Sequence, residues 1–221
     1  MNPWSDPGTG AGFVQSPPNA ALLRFAEGER ARGAGVRARD IGCGAARNSL
    51  PLADAGWQVL GTDTSWPMLA AAALQSCGER RHGRLRLAQA AMDRLPVQDR
   101  SVDLIVAHGI WNLARSAEEF RRGVREAARV ARPGAGLFLF TFSRHTLSLE
   151  AEPSAGEPFV FTQFSGQPQC FLTSEQIADE LGRAGFAADA ALPLRELNRP
   201  AGMLRAGSGP VIYEGAFRLT S

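Results

Sequence analysis

Residues 36–46 run Val36-Arg37-Ala38-Arg39-Asp40-Ile41-Gly42-Cys43-Gly44-Ala45-Ala46, and a second short run, Trp57-Gln58-Val59-Leu60-Gly61-Thr62, ends at Asp63. The order reads as strand, glycine turn, helix, strand, acid, a half-unit able to hold an adenosine. Gly42 supplies a tight or positive-φ turn, and Gly44 removes a side chain that would fill the ligand's space. Ala45 to Gly56 reads as a helix whose first amides face the crevice. Asp63, at the carboxyl end of its strand, can accept hydrogen bonds from two adjacent ribose hydroxyls. The sixth position of a dinucleotide fingerprint begun at Gly42 is Arg47, which disfavours a pyrophosphate cofactor and with it a nicotinamide oxidoreductase.

The elements that must position these residues alternate along the chain. Asn19 to Arg32 is an amphipathic helix with Ala21, Leu22, Phe25 and Ala26 as its buried stripe and Asn19 as a cap. A first strand runs to Ile41, a helix follows over residues 47–55 and stops at Gly56, and a second strand covers 57–62. Ser65 caps a helix from Pro67 to Cys77, with proline in the first turn where its missing amide matters least. Leu85 to Ala88 alternates as a short strand, Val102 to Ala107 reads as a buried central one, and Glu118 to Ala131 is helical. Pro133-Gly134 ends that helix before the apolar strand Leu137 to Phe142. Thr173, with Glu175 and Gln176 behind it, caps a helix reaching Gly182 or Arg183, and Gly185-Phe186 and Val211 to Phe217 supply the closing strands. The pattern predicts an α/β fold, a mostly parallel seven-stranded sheet with helices on both faces in a Rossmann-like sandwich. Its ligand should lie beyond the strand carboxyl ends, where strand order reverses.

The 221 residues, 44% hydrophobic, suffice for one well-filled domain, and no linker divides them. Residues 1–18 read as a flexible tail or lid, with Trp4 and Phe13 in need of packing, and not as a signal peptide. Residues 143–170 are too long for a plain connection and read as an insertion covering the site. Its Phe159, Phe161, Phe164 and Phe171 either line an apolar pocket or form the insertion's own core. The 24 basic residues, all arginine, against 22 acidic ones give a net charge of +2, which indicates neither a nucleic-acid surface nor an anionic membrane partner. The Arg80-Arg81-His82-Gly83-Arg84 cluster precedes the third strand and so faces away from the functional edge. No apolar run approaches a membrane span. Three widely spaced cysteines fit a reducing, cytoplasmic setting and no metal site, with Cys43 a small side chain packed behind the glycine loop.

Taken together, Asp40-Ile41-Gly42-Cys43-Gly44-Ala45-Ala46, Gly61-Thr62-Asp63, the run from Met92 to Asp103 and Ala128-Arg129-Val130-Ala131-Arg132-Pro133-Gly134-Ala135 resemble class I S-adenosylmethionine-dependent methyltransferases, over roughly residues 36–142. The resemblance implies S-adenosyl-L-methionine as cofactor and places Asp40, Gly42, Cys43 and Gly44 around the methionine and ribose portions. It gives Asp63 the ribose diol, sets Thr64, Ala91 and Met92 at the adenine, and puts His108 beside the methionine and the acceptor. Two positions depart from the family pattern. Ala46 stands at the third glycine, acceptable where φ is negative. Ala91 replaces a carboxylate that often contacts the adenine amino group, a bond worth on the order of 1 kcal/mol.

Methyl transfer from a sulfonium needs mainly alignment and exclusion of water. If a base takes part, His108 and His145 are the candidates, because histidine titrates near neutral pH and both follow strand ends. His145 reads equally as a loop histidine bonded to backbone, and Asp103 as a structural anchor. Trp111 and Asn112 shape the acceptor pocket. The expected function is methylation of a small organic acceptor at oxygen, nitrogen or carbon by a monomer or homodimer. The alternatives are a non-catalytic cofactor-binding or regulatory protein of the same fold, and a protein or RNA methyltransferase.

Overall fold

The computed structural model describes residues 17–76, 83–199 and 209–220. Residues 1–16 of the 1–18 tail or lid, Cys77 and the Arg80-Arg81-His82 part of the basic cluster lie outside them. In chain order the elements that frame the site are α1 (Ala20–Ala31), β1 (Arg37–Ile41), α2 (Ser49–Asp54), β2 (Gln58–Asp63), α3 (Trp66–Gln75), β3 (Leu85–Gln89), β4 (Val102–His108), α4 (Ala117–Val130) and β5 (Ala131–Phe142). There follow β6 (Val160–Phe161), β7 (Gln169–Cys170), α5 (Ser174–Gly182), β8 (Phe186–Ala188), β9 (Arg195–Leu197) and β10 (Ile212–Leu219).

The main sheet has the order β3-β2-β1-β4-β5-β10-β8, parallel from β3 to β5, with β10 antiparallel to its neighbours. β9 also pairs with β10, through Arg195–Leu197 against Ile212–Glu214, while β8 pairs with the other end of the same edge. The sheet therefore has seven positions, the last shared by two three-residue strands. The chain leaves β1 on both sides, to β2 and to β4, so the crevice opens at the carboxyl ends of these strands.

Apolar periodicity decides the layers. α1 and α2 place Leu22, Phe25, Leu52 and Ala53 with Val59, Leu104, Val106 and Phe138 on one face, while α4 and α5 place Phe120, Val124, Ile177 and Leu181 with Ile105, Leu137 and Leu139 on the other. Strand β5 starts six residues before the expected Leu137, because Ala131 already pairs with Val102 and the left-handed turn at Gly134, φ +80°, carries the irregularity before Leu104 meets Gly136. The expected capping box forms, Thr173 accepting from the Gln176 amide and Gln176 reaching back to the Thr173 amide. In the 143–170 insertion, Leu147 and Phe161 pack with Phe171 and Phe142 in a small core, whereas Phe159 joins the main one.

Helix α1 reaches the site because strand β5 is bare at Gly136, where a Cβ would sit 3.0 Å from the Phe25 ring. Glu29, 1% exposed, locks this contact by accepting from Arg218 of β10 at 2.7 and 3.0 Å, and Arg218 also pairs with Asp189. Removing the arginine leaves the buried Glu29 carboxylate only the half-exposed Arg32 at 3.2 Å and takes the partner of Asp189 as well, so Arg218→Met should lower the free energy of unfolding by about 3 kcal/mol in urea denaturation. An unchanged urea midpoint would show that Arg32 alone suffices for Glu29.

Candidate active site

The loop after β1 is built on positive φ. Gly42 has φ +68°, Gly44 +53° and Ala46 +65°, and the Ala46 amide closes the turn on the Cys43 carbonyl at 2.9 Å. A Cβ on Gly42 would meet the Ile110 side chain at 2.6 Å, so the loop touches the segment after β4. At Gly44 nothing lies within 4 Å of the missing Cβ, and the space belongs to the cavity. Ala46 does not meet the condition of a negative φ: its left-handed backbone costs roughly 1 kcal/mol. The buried methyl, packed with Leu50 and Ala72, returns a similar amount, about 0.8 kcal/mol.

Two carboxylates brace this loop. Asp63 accepts the Gly44 amide on Oδ2 at 2.9 Å and the Ser65 amide on Oδ1 at 2.8 Å, which ties the end of β2 to the glycine turn and leaves a lone pair on each oxygen for a ligand. Asp40, 2% exposed, accepts the Ser49 hydroxyl at 2.6 Å, and burial pushes its carboxyl up to about 7 against the pull of that bond. Cys43 packs behind the loop, its sulfur 2.8 Å from where a Cβ on Gly61 would stand, and burial holds the thiol protonated. Asp103 is structural, receiving the Arg37 amide at 2.8 Å and Arg132 at 2.7 Å.

His108, the last residue of β4, stacks on Phe140 with ring centroids 4.1 Å apart. Its Nδ1 faces an Arg47 nitrogen and its Nε2 the Asn19 amide nitrogen, each at 3.4 Å. Both neighbours are donors. Desolvation, with the Arg47 charge behind it, lowers the imidazole to about 4, so the ring is neutral at pH 7 and ill suited to removing a proton. Asn19 caps α1 by accepting the Leu22 amide at 2.9 Å, and its Nδ2 donates to Glu214 at 2.6 Å.

These residues line one cavity of about 560 Å³. Of the positions singled out in the sequence, Asp40, Gly42, Cys43, Gly44, Asp63, Thr64 and His108 are on its wall. Ala91, Met92 and His145 are not among the lining residues. Met92 instead packs where Trp111 meets the bare Gly123 of α4, its Cγ 3.4 Å from the missing Cβ. His145 is paired with Glu196 of β9 at 2.6 Å, beside Ser143. The walls also hold residues the sequence did not mark for the site, among them Met68, Phe140 and Gln169. Only Met68, one turn into the helix that follows Asp63, carried a positional signal. Phe142 and Phe164 meet edge to face at 5.5 Å at the aromatic end. Among the described residues no group of three His, Cys, Asp or Glu side chains could hold a metal ion, and no helix is long and apolar enough to cross a membrane.

Residues 39–140 match the family model of a methyltransferase domain. Among solved structures, an S-adenosylmethionine-dependent methyltransferase from Methanosarcina mazei is similar, with TM-score 0.71 and 19% identity over 93% of this chain and 99% of that one. A second, from Mesorhizobium loti, gives 0.67 and 20% over 90% and 98%. The 1,6-didemethyltoxoflavin-N1-methyltransferase of Burkholderia thailandensis, solved with its namesake compound and S-adenosylhomocysteine, gives 0.66 and 16% over 91% and 79%. No curated protein matches the chain.

The buried acid makes stability depend on pH in an unusual direction. Raised from 3.8 to about 7, Asp40 binds its proton more tightly when folded, so its stabilising contribution is complete below pH 3.8 and lost as pH rises through 7. His108 acts oppositely: its contribution is present above 6.5 and lost as pH falls toward 4. Comparison of wild type with Asp40→Asn cancels the histidine. From pH 5 to pH 8 the difference in unfolding free energy should move toward the variant by roughly 3 kcal/mol. The same difference at both pH values would mean that Asp40 is ionised normally.

Proposed function

Because this chain has the class I S-adenosylmethionine-dependent methyltransferase fold, we propose that it transfers a methyl group from S-adenosyl-L-methionine to a small organic acceptor. The observation that carries the reading is a single cavity running from the glycine loop and Asp63 to an aromatic end at Phe140, Phe142 and Phe164. The residues present fit the cofactor. Gly44 leaves open space where any side chain would stand, and Asp63 keeps lone pairs toward it.

In this reading Asp63 holds the ribose diol, Gly42 and Gly44 let the nucleoside lie against the backbone, and Thr64 and Met68 border the base. Asp40, buried and bonded to Ser49, fixes the loop beneath the methionine portion. When bound, the cofactor supplies a methyl group on a sulfonium that leaves as a neutral thioether, so the protein chiefly aligns acceptor and methyl carbon and excludes water. His108 borders the reacting centre as a neutral ring stacked on Phe140. A small acceptor fits an aromatic-lined cavity of this volume better than a polynucleotide does, and the Burkholderia protein of this fold was solved with a bound small molecule and S-adenosylhomocysteine.

Incubation with S-adenosylmethionine and a small-molecule metabolite extract should release S-adenosylhomocysteine only when protein and extract are both present. Release of none by a protein that binds the cofactor would favour the non-catalytic alternative. At the cofactor, Gly44→Ala should fold at a cost of about 1 kcal/mol for its positive φ. Its added methyl should weaken S-adenosylhomocysteine binding about tenfold or more by calorimetry. Unaltered affinity would remove the nucleoside from Gly44.

A further inference from the structure

Among the described residues of the cavity wall, Arg47 alone carries a fixed positive charge. It donates to the Pro17 carbonyl at 3.0 Å and turns its other terminal nitrogen to His108 Nδ1 at 3.4 Å, which leaves N–H groups of its fork uncommitted. No carboxylate among the described residues pairs with it. Burial works against its charge, and the acid whose field it feels, Asp40, is bonded to Ser49.

Its neighbour Asn48, 5% exposed, is on the same wall. It stands at the N-cap position of α2, yet its side chain makes no capping bond. Instead Oδ1 accepts the Asn19 amide at 3.0 Å, and that donor settles which side of the side-chain amide is oxygen. Nδ2, on the opposite side, has no partner among the described residues. The side-chain atoms that are both partnerless and sealed from solvent belong, among those residues, to Arg39, Trp57, Trp111, Asn112 and Thr141. Asn48 is not one of them, so its Nδ2 keeps surface at the cavity. A donor set so deep in the protein calls for an acceptor there.

The two side chains meet the same stretch of chain, Arg47 at Pro17 and Asn48 at Asn19, and Arg47 and Asn19 flank the two nitrogens of the His108 ring. What they leave free is hydrogens only, with one positive charge between them. A carboxylate answers both, with two oxygens and a single negative charge. A phosphate monoester would bring about two charges against one, on a wall that also holds Asp40 and Asp63. Resting on the methyltransferase reading, we propose that Arg47 and Asn48 form a carboxylate subsite, in which Arg47 supplies the charge and Asn48 Nδ2 a fixed N–H. The methionine portion of the cofactor carries such a group, and so does an acidic acceptor.

Two pairs of probes, each differing in one group, separate these sources by calorimetry. The first is S-adenosylmethionine against its decarboxylated form. The second, titrated into protein saturated with S-adenosylhomocysteine, is 2-naphthoate against 2-naphthamide. Where the subsite holds the cofactor, S-adenosylmethionine should bind about tenfold or more tightly than the decarboxylated compound, the worth of a hydrogen bond to a charged group. In Arg47→Met that gap should close to about threefold or less. It should also close in Asn48→Asp, which keeps an oxygen for the Asn19 amide and sets a second one in place of Nδ2. Equal binding of the first pair with a preference for naphthoate, lost in both variants, would give the subsite to the acceptor. No discrimination within either pair, or discrimination that survives both variants, would overturn the proposal, and the wild-type comparisons need no variant to fold. Failure of the wild type to bind either S-adenosylmethionine or S-adenosylhomocysteine would overturn the methyltransferase reading itself.

Discussion

The hydrogen bond from the Gly44 amide to Asp63 joins the carboxyl ends of two neighbouring strands, and the shape of the cavity depends on it. It forms only because the chain turns left-handed at Gly42, Gly44 and Ala46, which folds the loop back over the sheet edge. The loop then rests on Ile110 on one side and packs Cys43 against the bare Gly61 on the other. A side chain at Gly42 would force the segment after β4 away, and with it Ile110 and Asn112 of the cavity wall. Backbone conformation at three alternate residues, Gly42, Gly44 and Ala46, thus sets the distance between the two halves of the site.

Charge placement follows the same economy. The acids near the cavity are engaged by short-range partners, Asp40 by a hydroxyl and Asp63 by amides, while Arg47 is left without a carboxylate among the described residues. Burial raises the Asp40 carboxyl to about 7 and lowers the His108 imidazole to about 4, so below neutral pH neither adds a full charge to the wall.

The sequence carried those features whose cause is local. Glycine at 42 and 44, the acid ending the second strand signal, the Thr173 capping box and the apolar stripe of α1 are each determined within a few residues, and the alternation of strands and helices followed from them. What depends on distant partners was hidden. The sign of φ at Ala46 is imposed by the turn and not by alanine. The Met92 side chain packs beside Trp111 where Gly123 leaves space, and His145 pairs with Glu196, fifty-one positions along the chain. Asn19 was recognisable as a cap, but its reach to Glu214 and His108 exists only because α1 docks on Gly136. β9 is three residues long and too short to show a period.

The central claim is that the glycine loop and Asp63 hold an adenosine linked to methionine and not a dinucleotide. Calorimetric titration of the wild-type protein with S-adenosylhomocysteine and, separately, with NADH tests it directly. The account predicts one S-adenosylhomocysteine per chain at micromolar affinity and no heat from NADH. Preferential binding of NADH, or no heat from S-adenosylhomocysteine, would contradict it.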